Sequence, residues 1–281
     1  MTTPANVTPA AARPAALVRP ARSRGRARRS GAVLEYFWVV YRRTWRGSII
    51  NRFLSPLMLL GSLGLGLGTL VDDSSGGVNG VPYLRFVVPA LIATQAMWVA
   101  LGESTYQVMA YIMWNKMYRA MLATPLDLGD VLIGHLTAVA GHLALASAIF
   151  IGVCTLLGTV GGWGALACLP VAVLTGLAFA VPLFAFTATQ ESDAGMSVVF
   201  RLVVTPLMLF SGTFFPIESL PVPLQALAWA TPLWHGVELC RGAVLGGAAG
   251  GQAVAHVTLL VVYVGAGGWL ARRTFARRLV P

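Results

Sequence analysis

The sequence predicts an all-α integral membrane protein with six transmembrane helices. Hydrophobic residues make up 57% of the 281-residue chain and charged residues only 11%, and the mean hydropathy is +0.73. A soluble domain usually carries about 25% charged residues. Apolar runs close to the roughly 20 residues needed to cross a bilayer recur along the chain. This composition excludes an ordinary soluble protein and excludes disorder over most of the length.

The N-terminal segment differs from the rest of the chain. Residues 1–30 are rich in Ala, Pro and Arg, which predicts a disordered basic tail ahead of a transmembrane domain at 31–281. Residues 32–47 carry apolar positions at helical spacing, together with Trp38 and Trp45. This pattern predicts an amphipathic helix in the cytoplasmic headgroup layer. The alternative is a cytoplasmic extension of the first spanning helix.

Six segments are long and apolar enough to form the spanning helices. Asp127 is a candidate N-cap for the third helix, and Asp130 has the spacing of the acid in a capping box. The predicted spans are 50–71, 84–103, 131–157, 163–187, 196–215 and 253–271.

The positions of the basic residues predict the orientation. The net charge is +10, with eleven arginines before residue 53 and four in the last ten residues. Six spans place these arginines on one side with Lys116, Arg119 and Arg201, and leave only Arg85 and Arg241 on the other. Because cytoplasmic loops carry the excess of Lys and Arg, both termini are predicted in the cytoplasm. Charge placed in this way indicates a membrane protein and argues against a nucleic-acid partner.

Motifs for nucleotide, metal or covalent chemistry are missing from the sequence. A P-loop requires Gly-Lys-Ser/Thr, and the single lysine, Lys116, lies in the run WNKM. No Cys/His cluster has zinc spacing and no G-x-S-x-G elbow occurs. We therefore expect no catalytic, cofactor-binding or metal residues, and any ATP-driven work must come from another polypeptide.

Ionisable residues inside the predicted spans are few. His135 and His142 lie seven residues apart on one face of the third helix, where they could line a pathway or simply bond to neighbouring helices. Glu103 ends the second helix, where we expect it to be solvated. The absence of a central acid weakens a proton-coupled mechanism.

Two loops have unusual composition. The inner loop, residues 106–129, begins as an amphipathic helix that must stop near Thr124, since a residue before proline disfavours the helical conformation. A short cytoplasmic helix between two spans suits a docking element for a soluble partner, or a surface helix resting on the membrane.

The outer loop after the fifth span is too apolar to be solvated and too interrupted to span. We expect a re-entrant or interfacial pair of short helices there. His235 and Glu238 could share a metal, but Glu238 and Arg241 equally form a helix ion pair. The prolines that divide the loop are Pro216, Pro221, Pro223 and Pro232.

Two motifs together resemble the permease subunit of ABC-2 type exporters. The first is YRAMLATP at 118–125, followed by Asp127 and Asp130 at the start of the third helix. The second is Ser-Gly-x-x-Phe-Pro at 211–216, followed by the elements Pro221, Thr231, Pro232, Leu233, Glu238 and Arg241. Within this family the sequence is most similar to nodulation lipo-oligosaccharide and daunorubicin-resistance permeases.

The resemblance implies a bacterial plasma-membrane exporter of a hydrophobic, amphipathic or lipid-linked solute. It implies a permease homodimer or heterodimer with two separate ATP-binding subunits, which would hold ATP and Mg. Alternatives are an integral membrane enzyme acting on a lipid and a proton-coupled drug carrier. The expected ATPase-coupling loop comprises Trp114, Lys116, Arg119, Thr124 and Pro125. The expected outer gate comprises Phe214, Phe215, Pro216, Glu238 and Arg241.

Overall fold

The computed structural model describes residues 25–78, 80–246 and 250–279. Within these ranges the regular elements are helices, and no strand is formed. The α-helices are α1 Arg26–Ser62, α2 Thr69–Ser75, α3 Tyr83–Ser104, α4 Tyr106–Met109, α5 Met117–Leu122, α6 Leu128–Leu156, α7 Gly162–Thr187, α8 Ala194–Val199, α9 Thr205–Phe210, α10 Val222–Trp229, α11 Pro232–Leu245 and α12 Gly250–Leu279. Wider π-helical turns at Leu63–Gly68, Ala110–Trp114 and Phe200–Val204 join several of them.

Helix α7 is the centre of the bundle and packs against α3, α6, α11 and α12. Small residues allow the close approaches. A Cβ built on Gly236 would lie 2.3 Å from Oγ1 of Thr175, and one on Gly267 would lie 2.7 Å from the ring of Pro182. Such small-residue contacts let membrane helices gain packing energy where no hydrophobic force draws them together.

The first helix differs from its prediction. Helix α1 runs without interruption from Arg26 to Ser62, so the predicted helix at 32–47 and the start of the first span are one element. The amphipathic segment extends the span, as in the alternative stated above, and packs along α6. Helix α1 begins at Arg26, within the segment predicted as a tail, and the domain division at residue 30 stays a prediction. The remainder of the predicted tail, 1–24, lies outside the described residues.

In the described ranges, five helical segments are long and apolar enough to cross a membrane. They are Leu57–Ser75, Tyr83–Trp114, Leu128–Leu156, Gly162–Thr187 and Gly250–Leu279.

The predicted fifth span, 196–215, corresponds to the shorter apolar segment Ala194–Phe210. This helix ends earlier than predicted because Gly212 adopts a left-handed backbone with φ of 78°. The count of six spans stays a prediction.

The structure confirms two predictions made for the inner loop and the start of the third span. Asp127 and Asp130 form the capping box of α6, with the Asp127 backbone N–H donating to the Asp130 carboxylate at 3.2 Å. The expected amphipathic helix is divided, because Lys116 takes a left-handed conformation with φ of 47°. The following helix α5 ends at Leu122, ahead of Pro125 as expected.

The outer loop folds into α10 and α11, each of which has proline in its first turn. The two helices therefore begin where proline, lacking an N–H, is best tolerated. Helix α11 packs against both α3 and α7, so it is part of the bundle. The depth of this pair in a bilayer stays a prediction.

Candidate functional site

An arginine from α1 joins the two acids that begin α6. Nη1 of Arg29 lies 3.0 Å from Oδ2 of Asp127, and its Nε lies 3.2 Å from Oδ2 of Asp130. The Asp130 side chain is fully buried, so its charge requires a close partner. We call this end of the molecule the Asp127 end. The arginine was not identified from the sequence, although both acids were.

The five residues predicted for the coupling loop are exposed at the Asp127 end. Trp114 is 67% exposed. Lys116, Arg119, Thr124 and Pro125 are exposed as well. That these residues contact an ATPase stays a prediction.

A groove of about 460 Å³ lies beside this loop. Its walls come from α1 and from the loop itself, so the predicted docking element borders a concave surface. Residues lining the groove are Tyr36, Tyr111, Asn115, Met117, Ala120, Met121, Thr124 and Leu126.

His135 is held by aromatic residues from three other elements. Its ring stacks on Phe37 of α1 at 4.0 Å between centroids, and its Nδ1 lies 2.8 Å from the Tyr118 hydroxyl. Burial raises the pKa of Tyr118 well above its usual value, so the phenol remains protonated and can donate to the imidazole. The ring of Phe184, on α7, meets His135 edge-on. This histidine connects α1, the coupling loop and α7.

His142 and Glu103 are in contact beside a cavity. Nδ1 of His142 lies 3.0 Å from Oε1 of Glu103, and the Glu103 side chain is 22% exposed. The expectation that Glu103 is simply solvated is therefore wrong. Glu103 lies within Tyr83–Trp114, one of the helical segments long and apolar enough to cross a membrane.

The cavity measures about 780 Å³ and lies between α1, α3, α6 and α9. Both predicted pathway histidines line it. Polar side chains alternate with flat aromatic ones in its wall, a combination typical of small-molecule sites. Its remaining polar and aromatic lining residues, none of them identified from the sequence as site residues, are Gln95, Gln107, Tyr111, Phe37, Tyr41 and Trp98.

Two of the residues predicted for the outer gate, Glu238 and Arg241, contact each other. Nη1 of Arg241 donates to Oε1 of Glu238 at 2.7 Å, and its Nη2 donates to the Gly212 carbonyl at 2.7 Å. The guanidinium also covers the Phe86 ring at 4.0 Å. The helix ion pair, one of the two alternatives for Glu238, is formed.

Other gate residues lie next to this arginine contact. Phe214 packs on the main core. The hydroxyl of the preceding residue, Thr213, lies 3.3 Å from the hydroxyl of Thr94 on α3. Phe215 and Pro216 are half-buried. The contacts show a fixed turn between α9 and α10. A gating role for these residues stays a prediction.

Histidines from α11 and α12 meet near this turn. Nδ1 of His235 lies 2.7 Å from Nδ1 of His256, and both rings approach Trp234. The two bonded nitrogens face each other, so one donates and the other accepts. In the part of the chain that the structure describes, no group of three His, Cys, Asp or Glu side chains could hold a metal ion.

Comparison with known proteins identifies the family. The model of the ABC-2 type transporter family matches residues 30–245. Nodulation protein J of Rhizobium leguminosarum bv. trifolii is 33% identical over 249 residues, covering 89% of this chain and 93% of the relative. Nodulation protein J of Rhizobium meliloti is 31% identical over 250 residues, covering 89% and 94%. The match spans the inner loop, the cavity and the outer turn, and the chain therefore belongs to the ABC-2 type transporter family.

Proposed function

We propose that this protein is the permease subunit of an ATP-driven exporter that moves a hydrophobic, amphipathic or lipid-linked solute out of a bacterial cell. The family is that of a transporter, and the sequence carries no P-loop. ATP and Mg would therefore be held by a separate ATP-binding subunit. The observation that carries this proposal is that the loop residues 114–125, in a chain of the ABC-2 type transporter family, are exposed at one end of the helical bundle.

The Asp127 end has the features of a docking surface for that subunit. Trp114 offers an exposed apolar side chain, and Lys116 and Arg119 offer two positive charges beside the groove described above. Aromatic residues and arginine are the side chains that contribute most to protein interfaces. The loop joins α3 to α6, so a movement of the ATPase would reach two spanning helices through it.

The same end faces the cytoplasm in the proposed topology. Six spans, with Ala194–Phe210 as the fifth, keep both termini inside the plasma membrane and leave Arg85 and Arg241 outside. A second permease copy, identical or similar, and two ATP-binding subunits would complete the transporter. The turn that contains Phe214, Phe215 and Pro216 would then form the outer gate together with Glu238 and Arg241. Arg241 holds this turn through the Gly212 carbonyl.

Co-purification tests the docking role. An ATPase with a Walker A motif, encoded beside this chain, is expressed with the tagged permease, and its recovery is measured at several salt concentrations. Arg119→Glu reverses an exposed charge beside the groove and should lower recovery several-fold. Arg85→Glu makes the same change at the opposite end and should leave recovery unchanged. The same recovery for both variants at every salt concentration would contradict docking at this loop.

Reconstitution separates the proposal from its alternatives. Transport into vesicles should require both the ATPase and ATP. Transport by the permease alone, driven by a proton gradient, would instead indicate a proton-coupled carrier. Turnover of purified lipid by the permease alone, lost in Glu238→Ala, would indicate a membrane enzyme.

A further inference from the structure

We infer that Tyr118 is the residue through which the coupling loop acts on the helical bundle, because its hydroxyl, bonded to His135, carries a movement of the docked ATPase into α6. The inference rests on the proposed function, since it names the side chain that transmits the movement of the ATP-binding subunit. Its basis is the burial of Tyr118, and its contacts, within a loop whose other residues are largely exposed.

Helix α5 of the loop has an exposed side and a buried side. Arg119 and Ala120 are exposed, whereas Met117 and Tyr118 are buried. The Tyr118 side chain is the larger of the two buried ones, and it has no exposed surface. A subunit that docks on the exposed side therefore pushes on a short helix whose opposite side is anchored in the bundle.

The anchor is a hydrogen bond to a spanning helix. The Tyr118 hydroxyl lies 2.8 Å from Nδ1 of His135 on α6. His135 is also buried, so breaking the bond would leave both polar groups without water. His135 lies about 10 Å along α6 from Leu128, at the α-helical rise. The bond thus acts on the body of α6, whereas the backbone of the loop acts only on its first turn.

Aromatic rings extend this contact to two further spanning helices. Tyr118 meets Phe275 of α12 edge-on, with 5.4 Å between centroids, and His135 meets Phe184 of α7 edge-on at 5.0 Å. Phe184 and Phe275 stack on each other at 6.2 Å. All four side chains are buried. Because close-packed rings leave no space for one of them to yield alone, a displacement of Tyr118 reaches α6, α7 and α12.

The hydroxyl separates transmission from simple packing. Phenylalanine at position 118 would fill the same space and keep the ring contact with Phe275, but it would leave Nδ1 of His135 without its donor. If Tyr118 only fills the core, Tyr118→Phe should change stability alone. If the bond transmits movement, the same change should reduce the response of α6 to the ATPase. The ATPase should remain bound, because the Tyr118 side chain is buried and does not face the docked subunit.

Hydrogen–deuterium exchange measures this response without a transported solute. The full-length permease is co-purified with the ATPase of the docking experiment in lipid nanodiscs, and exchange is compared without nucleotide and after trapping with ATP and vanadate. In the unaltered complex, trapping should change exchange in residues 114–125 and in α6. Tyr118→Phe should keep the change in the loop and reduce the change in α6 by about threefold or more, as expected for the loss of one hydrogen bond.

Further variants assign the effect to the bond. His135→Leu removes the acceptor and should reduce the α6 response as much as Tyr118→Phe, and the double variant should show no further loss. Tyr263→Phe is the matched control, because it also removes a hydroxyl that bonds to another element, at the Ala230 carbonyl, but lies about 18 Å along α12 from Phe275. It should leave the α6 response unchanged. Size-exclusion profiles and melting temperatures confirm folding, and if one single variant does not fold, the other decides.

The outcomes separate this inference from the proposed function. An α6 response in Tyr118→Phe equal to that of the unaltered complex would overturn the inference, as would losses from the two single variants that add in the double variant. A complex in which trapping changes the loop but not α6 would overturn it as well. In each of these cases the ATPase is bound and the exporter proposal stands. If no ATPase associates with the unaltered permease, the exporter proposal fails and this inference fails with it.

Discussion

Arg29 and Arg241 each pair with an acidic residue, at opposite ends of the bundle. The two pairs differ in which member is buried. Arg29 is 31% exposed and pairs with Asp130, which is fully buried. Arg241 is 14% exposed and pairs with Glu238, which is 34% exposed. At the Asp127 end the acid is therefore the buried member, and at the other end the arginine is. Removing the partner of a buried charge is what costs most.

The two arginines also join different kinds of elements. Arg29 joins α1 to α6, two elements about 100 residues apart in sequence, with Asp127 at a separation of 98. Arg241 joins α11 to the preceding turn at Gly212, 29 residues earlier. The first contact ties the N-terminal part of α1 to α6, whereas the second ties the turn at Gly212 to α11 and places the guanidinium on Phe86 of α3. Four substitutions test this difference, in order of expected effect.

Arg29→Gln should cause the largest loss. The change removes the cation that contacts the fully buried Asp130 carboxylate at 3.2 Å, and we expect a loss of about 3 kcal/mol in unfolding free energy. The measurement is thermal unfolding of the purified protein in detergent. Asp127→Asn is the control, because Asp127 is 70% exposed and Asn is an equally good N-cap. Equal losses from both variants would contradict the assigned burial.

Gly134→Ala should be next, because α1 packs directly on this glycine. A Cβ there would lie 2.6 Å from Cβ of Val33 and 2.8 Å from the backbone oxygen of Ser30. The helices must separate, which should cost about 2 kcal/mol in the same unfolding experiment. Gly141 lies on the same helix with open space around it, so Gly141→Ala should stabilise the protein slightly. Destabilisation by both changes would argue against the α1–α6 contact.

Arg241→Lys should have a smaller effect. Lysine keeps the charge but cannot contact Glu238 and the Gly212 carbonyl with one planar group, and it loses the stacking on Phe86. We expect a loss of about 1 kcal/mol in unfolding free energy. Arg85→Lys alters an exposed arginine at the same end and should be neutral. A neutral Arg241→Lys would show that the turn does not depend on the guanidinium.

Lys116→Gly should give the smallest effect, with the opposite sign. Lys116 has a φ of 47°, which glycine adopts without steric strain. Its replacement should raise the unfolding free energy by at most about 1 kcal/mol. Ala120→Gly, on the helix that follows, should instead lower it by up to about 1 kcal/mol. Destabilisation by Lys116→Gly would show that the lysine side chain itself supports the loop.

Features that depend on a few adjacent residues could be predicted from the sequence. The capping box of α6 follows from the spacing of Asp127 and Asp130, and the end of α5 before Pro125 follows from proline sterics. The bounds of α7, predicted as 163–187 and observed as Gly162–Thr187, follow from its apolar length and flanking glycines. Each of these signals is local, so no tertiary contact is needed to interpret it.

Features that depend on tertiary contacts could not be predicted. An amphipathic segment with Trp and Arg fits a helix on a membrane surface as well as one beside α6, so its composition does not decide between them. Glu103 and His142 are 39 positions apart, and no sequence pattern indicates that they meet. The end of α9 at Phe210 depends on the left-handed Gly212, whose carbonyl is held by Arg241. Sequence periodicity contains no information about such long-range partners.

The exposed position of Lys116 has a practical consequence. It is the single lysine among 281 residues, so an amine-reactive reagent can modify one side chain and, besides it, only the α-amino group. Acylation or cross-linking at neutral to mildly alkaline pH would thus report on one point of the inner loop without any engineered label. Protection of that amine in the presence of a candidate subunit would map the footprint of the subunit on the natural protein.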